Sequence, residues 1–307
     1  MTAAPTPAAS ARTLRSFLSS MVVLFKLRIV ALLLCAAVGG MMLAARGRPA
    51  PGDLALLLVT GAMAAAGASA LNQALEPEID AKMRRTRHRP LVTGQATPGG
   101  VALVSAGLIA GAALIALAAR NPALACFLGL GAFIYVVIYT VVLKPRTPLN
   151  IVLGGAAGSA AVLSGSAAAG GWADPGALLL AALVFLWTPT HFWSLSMVYR
   201  EDYVRAGVPM LPTVMGARRA ATWVLVHASF TGAAALLLAA HPSLGLIYLA
   251  PVALATAHWV RSAFRLGRAP ERDRAMAVFK GSNLYLGLVI LTICVDALLQ
   301  LPALAIL

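Results

Sequence analysis

Runs of about twenty apolar residues, cut by short charged or Pro/Gly-rich joints, constrain this 307-residue chain more than any other feature. A helix of about that length crosses a bilayer core of roughly 30 Å, and a soluble globule has no use for so many such runs. About nine can be placed, over 21–45, 53–75, 100–119, 122–143, 149–170, 176–198, 220–240, 243–261 and 282–304. Between them lie RGRPAPGD, the long loop 76–99, ARNP, LKPRTP, GGWADPG, the loop 199–219, AHPS and the loop 261–281. The expectation is an all-α polytopic membrane bundle of about nine transmembrane helices. A disordered Ala/Pro/Ser/Thr-rich tail over 1–20 precedes it, and 21–304 form a single domain. The first run is long enough to remain a helix, and its far flank, ARGRP, is not a small-residue cleavage site, so no signal peptide is expected.

The charge then sets the orientation. Of the 24 basic residues, all but Arg46, Arg48 and Arg120 fall on one side of the nine-span arrangement. By the positive-inside rule that side, with the N-terminus and every long loop, is cytoplasmic, and the C-terminus lies opposite. The net charge of +14 is therefore mostly topology. No aromatic-interleaved basic face or zinc pattern accompanies it, which excludes a nucleic-acid partner. Cys35, Cys126 and Cys294 stand alone in apolar runs and read as hydrophobes rather than a disulfide frame.

The most charged stretch, NQALEPEIDAKMRRTRHRP over 72–90, sets acids directly against bases. Asn72, Glu76 and Asp80 recur at i, i+4 and i+8, so one helix would carry them on one face, although Pro77 kinks or restarts that helix between the acids. Oxygen ligands followed by guanidiniums suit a Mg²⁺-bridged polyanion. Asn72 and Glu76 end an apolar run, and polar groups at membrane depth point to function. A second acidic loop, YREDYVRAGVPMLPTVMG over 199–216, adds Glu201 and Asp202 four spans later on the same side. That spacing suggests two pseudo-related halves around a central cavity, with both acidic segments at its cytoplasmic mouth.

These residues resemble a known family. NxxxExxxD followed by MRRTRHRPL, with the second acidic loop, is similar to the UbiA superfamily of intramembrane prenyltransferases. Four stretches resemble its branch that farnesylates protohaem IX: YTVVLKPRTPLNIVLGGAAGS (139–159), WTPTHFWSLS (187–196), DYVRAGVPMLP (202–212) and SNLYL (282–286). The resemblance spans about 20–300, and AGVPMLP with THFW is specific to the branch. Aromatic-acceptor relatives usually carry a second DxxxD, whereas here Asp202 is followed at i+4 by Ala206. Glu76 stands where the family often has Asp, Thr190 where Pro is common before His191, Pro145 where a base is common, and VLSG (162–165) where a Pro-Pro stretch is usual.

The resemblance implies farnesyl diphosphate as donor and haem b as acceptor, a substrate rather than a cofactor. It implies Mg²⁺ on Asn72, Glu76, Asp80 and Asp202, with Arg84, Arg85, Arg89 and Lys144 on the diphosphate. His191 is the candidate haem ligand, the Gly/Ala-rich span 154–171 a packing face or cavity wall, and haem A synthase a candidate receiver of product. The location implied is a bacterial-type inner (plasma) membrane. The alternatives are an aromatic prenyltransferase of quinone synthesis and a non-catalytic membrane haem carrier; a transporter more often shows ionisable groups near mid-bilayer.

Overall fold

The computed structural model describes residues 19–299, so the expected disordered tail, apart from Ser19 and Ser20, and the last residues of the expected final span lie outside the described residues. Thirteen helical segments follow in order: α1 (Leu27–Ala44), α2 (Pro51–Leu75), α3 (Pro77–Lys82), α4 (Pro98–Ala118), α5 (Pro122–Leu143), α6 (Asn150–Gly154), α7 (Ala156–Ala168), α8 (Pro175–Val198), α9 (Arg200–Ala206), α10 (Leu211–Val214), α11 (Ala217–Leu238), α12 (Leu246–Arg268) and α13 (Arg272–Leu299). Five of these open on proline at their first position, α2, α3, α4, α5 and α8. Proline needs no donor there, and its fixed φ is already helical.

Among the described residues eight helices are long and apolar enough to cross a membrane, with α6 and α7 counted as one. The expected ninth span is α12, equally long but less apolar because Arg261, Arg265 and Arg268 occupy its last turns. Successive long helices pack as neighbours from α1 through α2, α4, α5, α7, α8, α11, α12 and α13, and α13 returns against α1. Leucines such as Leu103, Leu114, Leu254 and Leu284 stand out from the bundle, as lipid-facing positions do.

The loop expected over 261–281 is mostly helical. Only 269–271 break the chain between α12 and α13, which places six basic residues on two helix ends. Charge excludes a segment from the hydrocarbon but not from a helix, and the two therefore project beyond the apolar layer. The Gly/Ala-rich span 154–171 serves as a packing seam. Gly40 lies against the Val162 carbonyl and Gly165 against the Ala37 carbonyl, so neither position has room for a Cβ, and α1 and α7 approach backbone to backbone.

Two irregularities shape the site. Lys26 takes a left-handed conformation (φ 49°, ψ 48°), so the helical turns before it break off and α1 starts afresh. The second half of α5, Ile134–Leu143, widens into a π-helix in which the Lys144 N–H donates to the Tyr139 carbonyl five residues back, at 2.8 Å. Its β-branched run disfavours tight α turns, and the Thr140 hydroxyl takes the Tyr135 carbonyl at 2.8 Å.

Candidate active site

Helix α2 ends at Leu75 because Pro77 cannot continue it, and Glu76 caps the break with φ −126°. The expected single face is thus two segments, yet register is kept: the Asp80 N–H donates to the Glu76 carbonyl at 2.9 Å. Asn72, Glu76 and Asp80 are each at most 4% exposed. Burial obliges each carboxylate to find compensation, and each takes a base.

Glu76 Oε2 accepts from Lys144 Nζ at 2.5 Å and from Asn72 Nδ2 at 2.9 Å. The other Asn72 amide hydrogen goes to Thr140 Oγ1 (3.0 Å), and Asn72 Oδ1 accepts from Lys26 Nζ (2.8 Å), which also donates to the Tyr135 hydroxyl (3.1 Å). Asp80 Oδ2 accepts from Arg89 at 2.6 Å. The π-helix therefore delivers Tyr135, Thr140 and Lys144 to the end of α2, and the break at Lys26 aims a buried base at the same point. Glu76 Oε1 is buried without a hydrogen-bond partner. A carboxylate oxygen left bare in such surroundings is suited to a cation.

The second acidic segment meets the first. Helix α9 packs against α3, and Arg205 bridges them, pairing with Asp202 Oδ1 (3.4 Å) and reaching the Lys82 carbonyl (3.5 Å). Burial raises the pKa of the Tyr203 phenol, with the Arg85 guanidinium pulling it the other way. Among the described residues no three acidic, His or Cys side chains form a ready-made metal cage. The expected set of Asn72, Glu76, Asp80 and Asp202 is instead held in three base-compensated groups gathered at one end of the bundle. Of the four expected diphosphate bases, Lys144 and Arg89 hold the two carboxylates, Arg85 acts electrostatically on Tyr203, and Arg84 faces a neighbouring cavity beside Asp202.

His191 lies on α8, stacked on Trp187 with centroids 4.4 Å apart and 4.7 Å from the Phe279 ring. Its Nδ1 is 2.8 Å from Ser282 Oγ, and the Ser282 hydroxyl hydrogen goes to the Phe279 carbonyl at 2.6 Å. The serine must therefore accept, which puts the histidine proton on Nδ1 and leaves the Nε2 lone pair for a metal. His241 lies over Gly176, 3.6 Å from Asp174 Oδ2, with its side chain 7% exposed.

Sequence reasoning counted Lys26 only as a topological charge. The signal for more was available, since a base within an apolar run at membrane depth is costly. Thr140 carried no such signal, because its role depends on the π-helix.

A helical bundle with buried acids and bases gathered at one end has the build of an intramembrane enzyme for an anionic substrate. The UbiA prenyltransferase family model matches residues 32–287, and the chain belongs to that family. It is a prenyltransferase and a multi-pass membrane protein. The chain is 43% identical to protoheme IX farnesyltransferase 1 of Saccharopolyspora erythraea over 99% of both proteins. It is 42% identical to the protoheme IX farnesyltransferase of Pseudarthrobacter chlorophenolicus, over 89% of this chain and 87% of that one. Among solved structures, a digeranylgeranylglyceryl phosphate synthase superposes with a TM-score of 0.76 at 17% identity, covering 92% of this chain and 98% of that one. A UbiA homologue from Archaeoglobus fulgidus bound to DMAPP and Mg²⁺ superposes with a TM-score of 0.65 at 18% identity, covering 90% and 99%. At those identities the structures speak for the fold alone.

Proposed function

We propose that this enzyme transfers the farnesyl group of farnesyl diphosphate to a vinyl group of haem b, giving haem O for terminal oxidases. The observation that carries the reading is a buried Glu76, one oxygen unpaired and the other on Lys144 and Asn72, in a chain 43% identical along its length to a protoheme IX farnesyltransferase. Mg²⁺, present with DMAPP in the Archaeoglobus homologue, fits these hard oxygen donors; Asn72, Glu76, Asp80 and Asp202 would hold it, and when bound it draws electron density from the diphosphate.

Lys144 and Arg89, already aimed at the acids, turn to the diphosphate oxygens, with Arg85 and Arg84 behind them. Their fixed charges stabilise the negative charge that builds as the allylic C–O bond breaks. The apolar bundle keeps water from the allylic cation until the haem vinyl carbon attacks it, and addition of water with loss of a proton completes the hydroxyethylfarnesyl group. His191 Nε2 takes the haem iron, and its ring is held from behind by Ser282. The N-terminus and the acidic site face the cytoplasm across an inner membrane, and a haem A synthase receives the product. This orientation rests on the basic residues.

The test is extraction and mass analysis of haem after incubating the purified protein with haem b, farnesyl diphosphate and Mg²⁺. A gain of one farnesyl and one hydroxyl group is expected. Unchanged haem, under conditions where a Saccharopolyspora-type farnesyltransferase works, overturns the reading in favour of an aromatic acceptor.

A further inference from the structure

The C-terminal end of α8 and the N-terminal end of α13 help to enclose a cavity of about 460 Å³. Asp202 lines it, which places it beside the diphosphate site. Three arginines converge there from separate elements: Arg84 after α3, Arg200 at the start of α9 and Arg272 at the start of α13. Arg200 Nε donates to the Pro212 carbonyl at 3.4 Å, leaving its forked terminal nitrogens for a ligand. None of the three is in an ion pair among the described residues. Of the acids lining the same space, Asp202 is committed to Arg205 and Glu271 to Arg274, each at 3.4 Å, so only Glu201 is free to offset them. The cavity thus carries a surplus of about two positive charges in guanidinium form, the geometry that suits carboxylates.

Its position is as informative as its charge. Val198, one wall, is seven residues beyond His191 on α8, and Arg272 is seven residues before Phe279 on α13. Seven residues are close to two helical turns, so both walls lie on the helix faces that hold His191 against Phe279, about 10 Å nearer the charged end of the bundle. One seam between α8 and α13 therefore runs from the histidine to the arginine cavity.

We propose that this cavity is the carboxylate end of the acceptor site: Arg200 and Arg272 hold the two propionates of haem b while His191 faces its iron two turns deeper, and Arg84 lies on the side next to the diphosphate. The inference rests on haem b being the acceptor. Propionates are the only charged groups on that molecule's rim. Carboxylates do not enter an apolar bundle unpaired, so they anchor at the polar end and leave the rest of the macrocycle to the apolar seam.

Full-length protein in nanodiscs is assayed with farnesyl diphosphate and either haem b or its dimethyl ester. The wild type is expected to favour the free acid by about tenfold or more, the scale of a charge-assisted hydrogen bond at a half-wet site. Arg200→Ala with Arg272→Ala should raise the KM for haem b by a similar factor while leaving kcat, the KM for farnesyl diphosphate and turnover of the ester unchanged. Arg200→Lys with Arg272→Lys should restore part of the preference. Equal losses on free acid and ester overturn the proposal, as does a rise confined to the KM for farnesyl diphosphate, which would assign the cavity to the diphosphate. If the wild type farnesylates neither haem nor ester, the acceptor assignment itself falls, and this inference falls with it.

Discussion

Lys144→Met gives the most direct measure of how the site is held together. Lys144 Nζ is 2.5 Å from Glu76 Oε2, with side chains 13% and 3% exposed, and Glu76 has no other base on it among the described residues. At that separation and an effective dielectric near 20, the attraction is about 7 kcal/mol before desolvation. Removing the lysine leaves a buried carboxylate with one oxygen bare and the other on Asn72 alone. Breaking a buried pair from one side costs about 3–5 kcal/mol, whereas removing both charges is far milder. Lys144→Met should therefore lower unfolding stability by about 3 kcal/mol, and Glu76→Gln with Lys144→Met should recover most of it, a coupling of about 2 kcal/mol or more. The assay is denaturant unfolding in micelles of the wild type, both single variants and the double variant. A double variant as unstable as Lys144→Met, or a Lys144→Met protein as stable as the wild type, would refute the argument that this lysine compensates Glu76.

Asp80→Asn keeps the shape of the side chain but loses its charge, and should cut farnesyl transfer by a hundredfold or more while haem binding by absorbance titration stays near wild type. His191→Ala should weaken haem affinity and alter the haem absorption spectrum; Ser282→Ala, which frees the ring rather than removing it, should give a smaller change in the same direction. Gly165→Val drives a side chain into the Ala37 carbonyl and should cost about 1–3 kcal/mol or more by overpacking, read as a lower unfolding midpoint. Burial lowers the pKa of His241 in the folded protein, against the opposing pull of Asp174. The unfolded chain therefore binds the proton more readily, and stability should fall as pH drops through about 6.5 towards the folded value. His241→Asn should flatten that part of the pH–stability curve, and an unchanged slope would remove His241 as its source.

The helices were legible because an apolar run of bilayer length flanked by proline has few other readings, and α2, α4, α5 and α8 each begin within about two residues of the expected place. The segment 261–281 misled because its charges mark the edge of the membrane and say nothing about where a helix stops. Within the site, Asn72, Glu76 and Asp80 could be read from their spacing, and Pro77 announced the break between the acids. The partners of those residues could not be read. Lys26 reaches Asn72 across 46 positions and Lys144 reaches Glu76 across 68, and both contacts depend on local distortions, a left-handed residue and a π-helix, that leave little pattern in sequence. The metal expectation named oxygen donors without their present partners, because spacing reports which groups share a face and not which charges neutralise one another.

That pattern of pairing sets how substrate and metal must arrive. On the proposed assignment a divalent cation on Glu76 and Asp80 would displace Lys144 and Arg89, and both bases have side chains only 13% exposed. Moving a carboxylate to the metal alone would strand a half-buried cation, and bringing in a diphosphate alone would strand the carboxylates; each event costs what the other repays. The two ligands should therefore bind with positive cooperativity, for which a coupling of about 1–3 kcal/mol is typical. Calorimetric titration of Mg²⁺ with and without a non-hydrolysable farnesyl diphosphate analogue reads it directly, and Mg²⁺ should tighten the analogue by the same factor that the analogue tightens Mg²⁺. Replacing Lys144 by Met removes one displaced base, so it should strengthen the binding of Mg²⁺ alone while shrinking the coupling. If the coupling survives that substitution undiminished, the exchange of partners at Glu76 is not its origin.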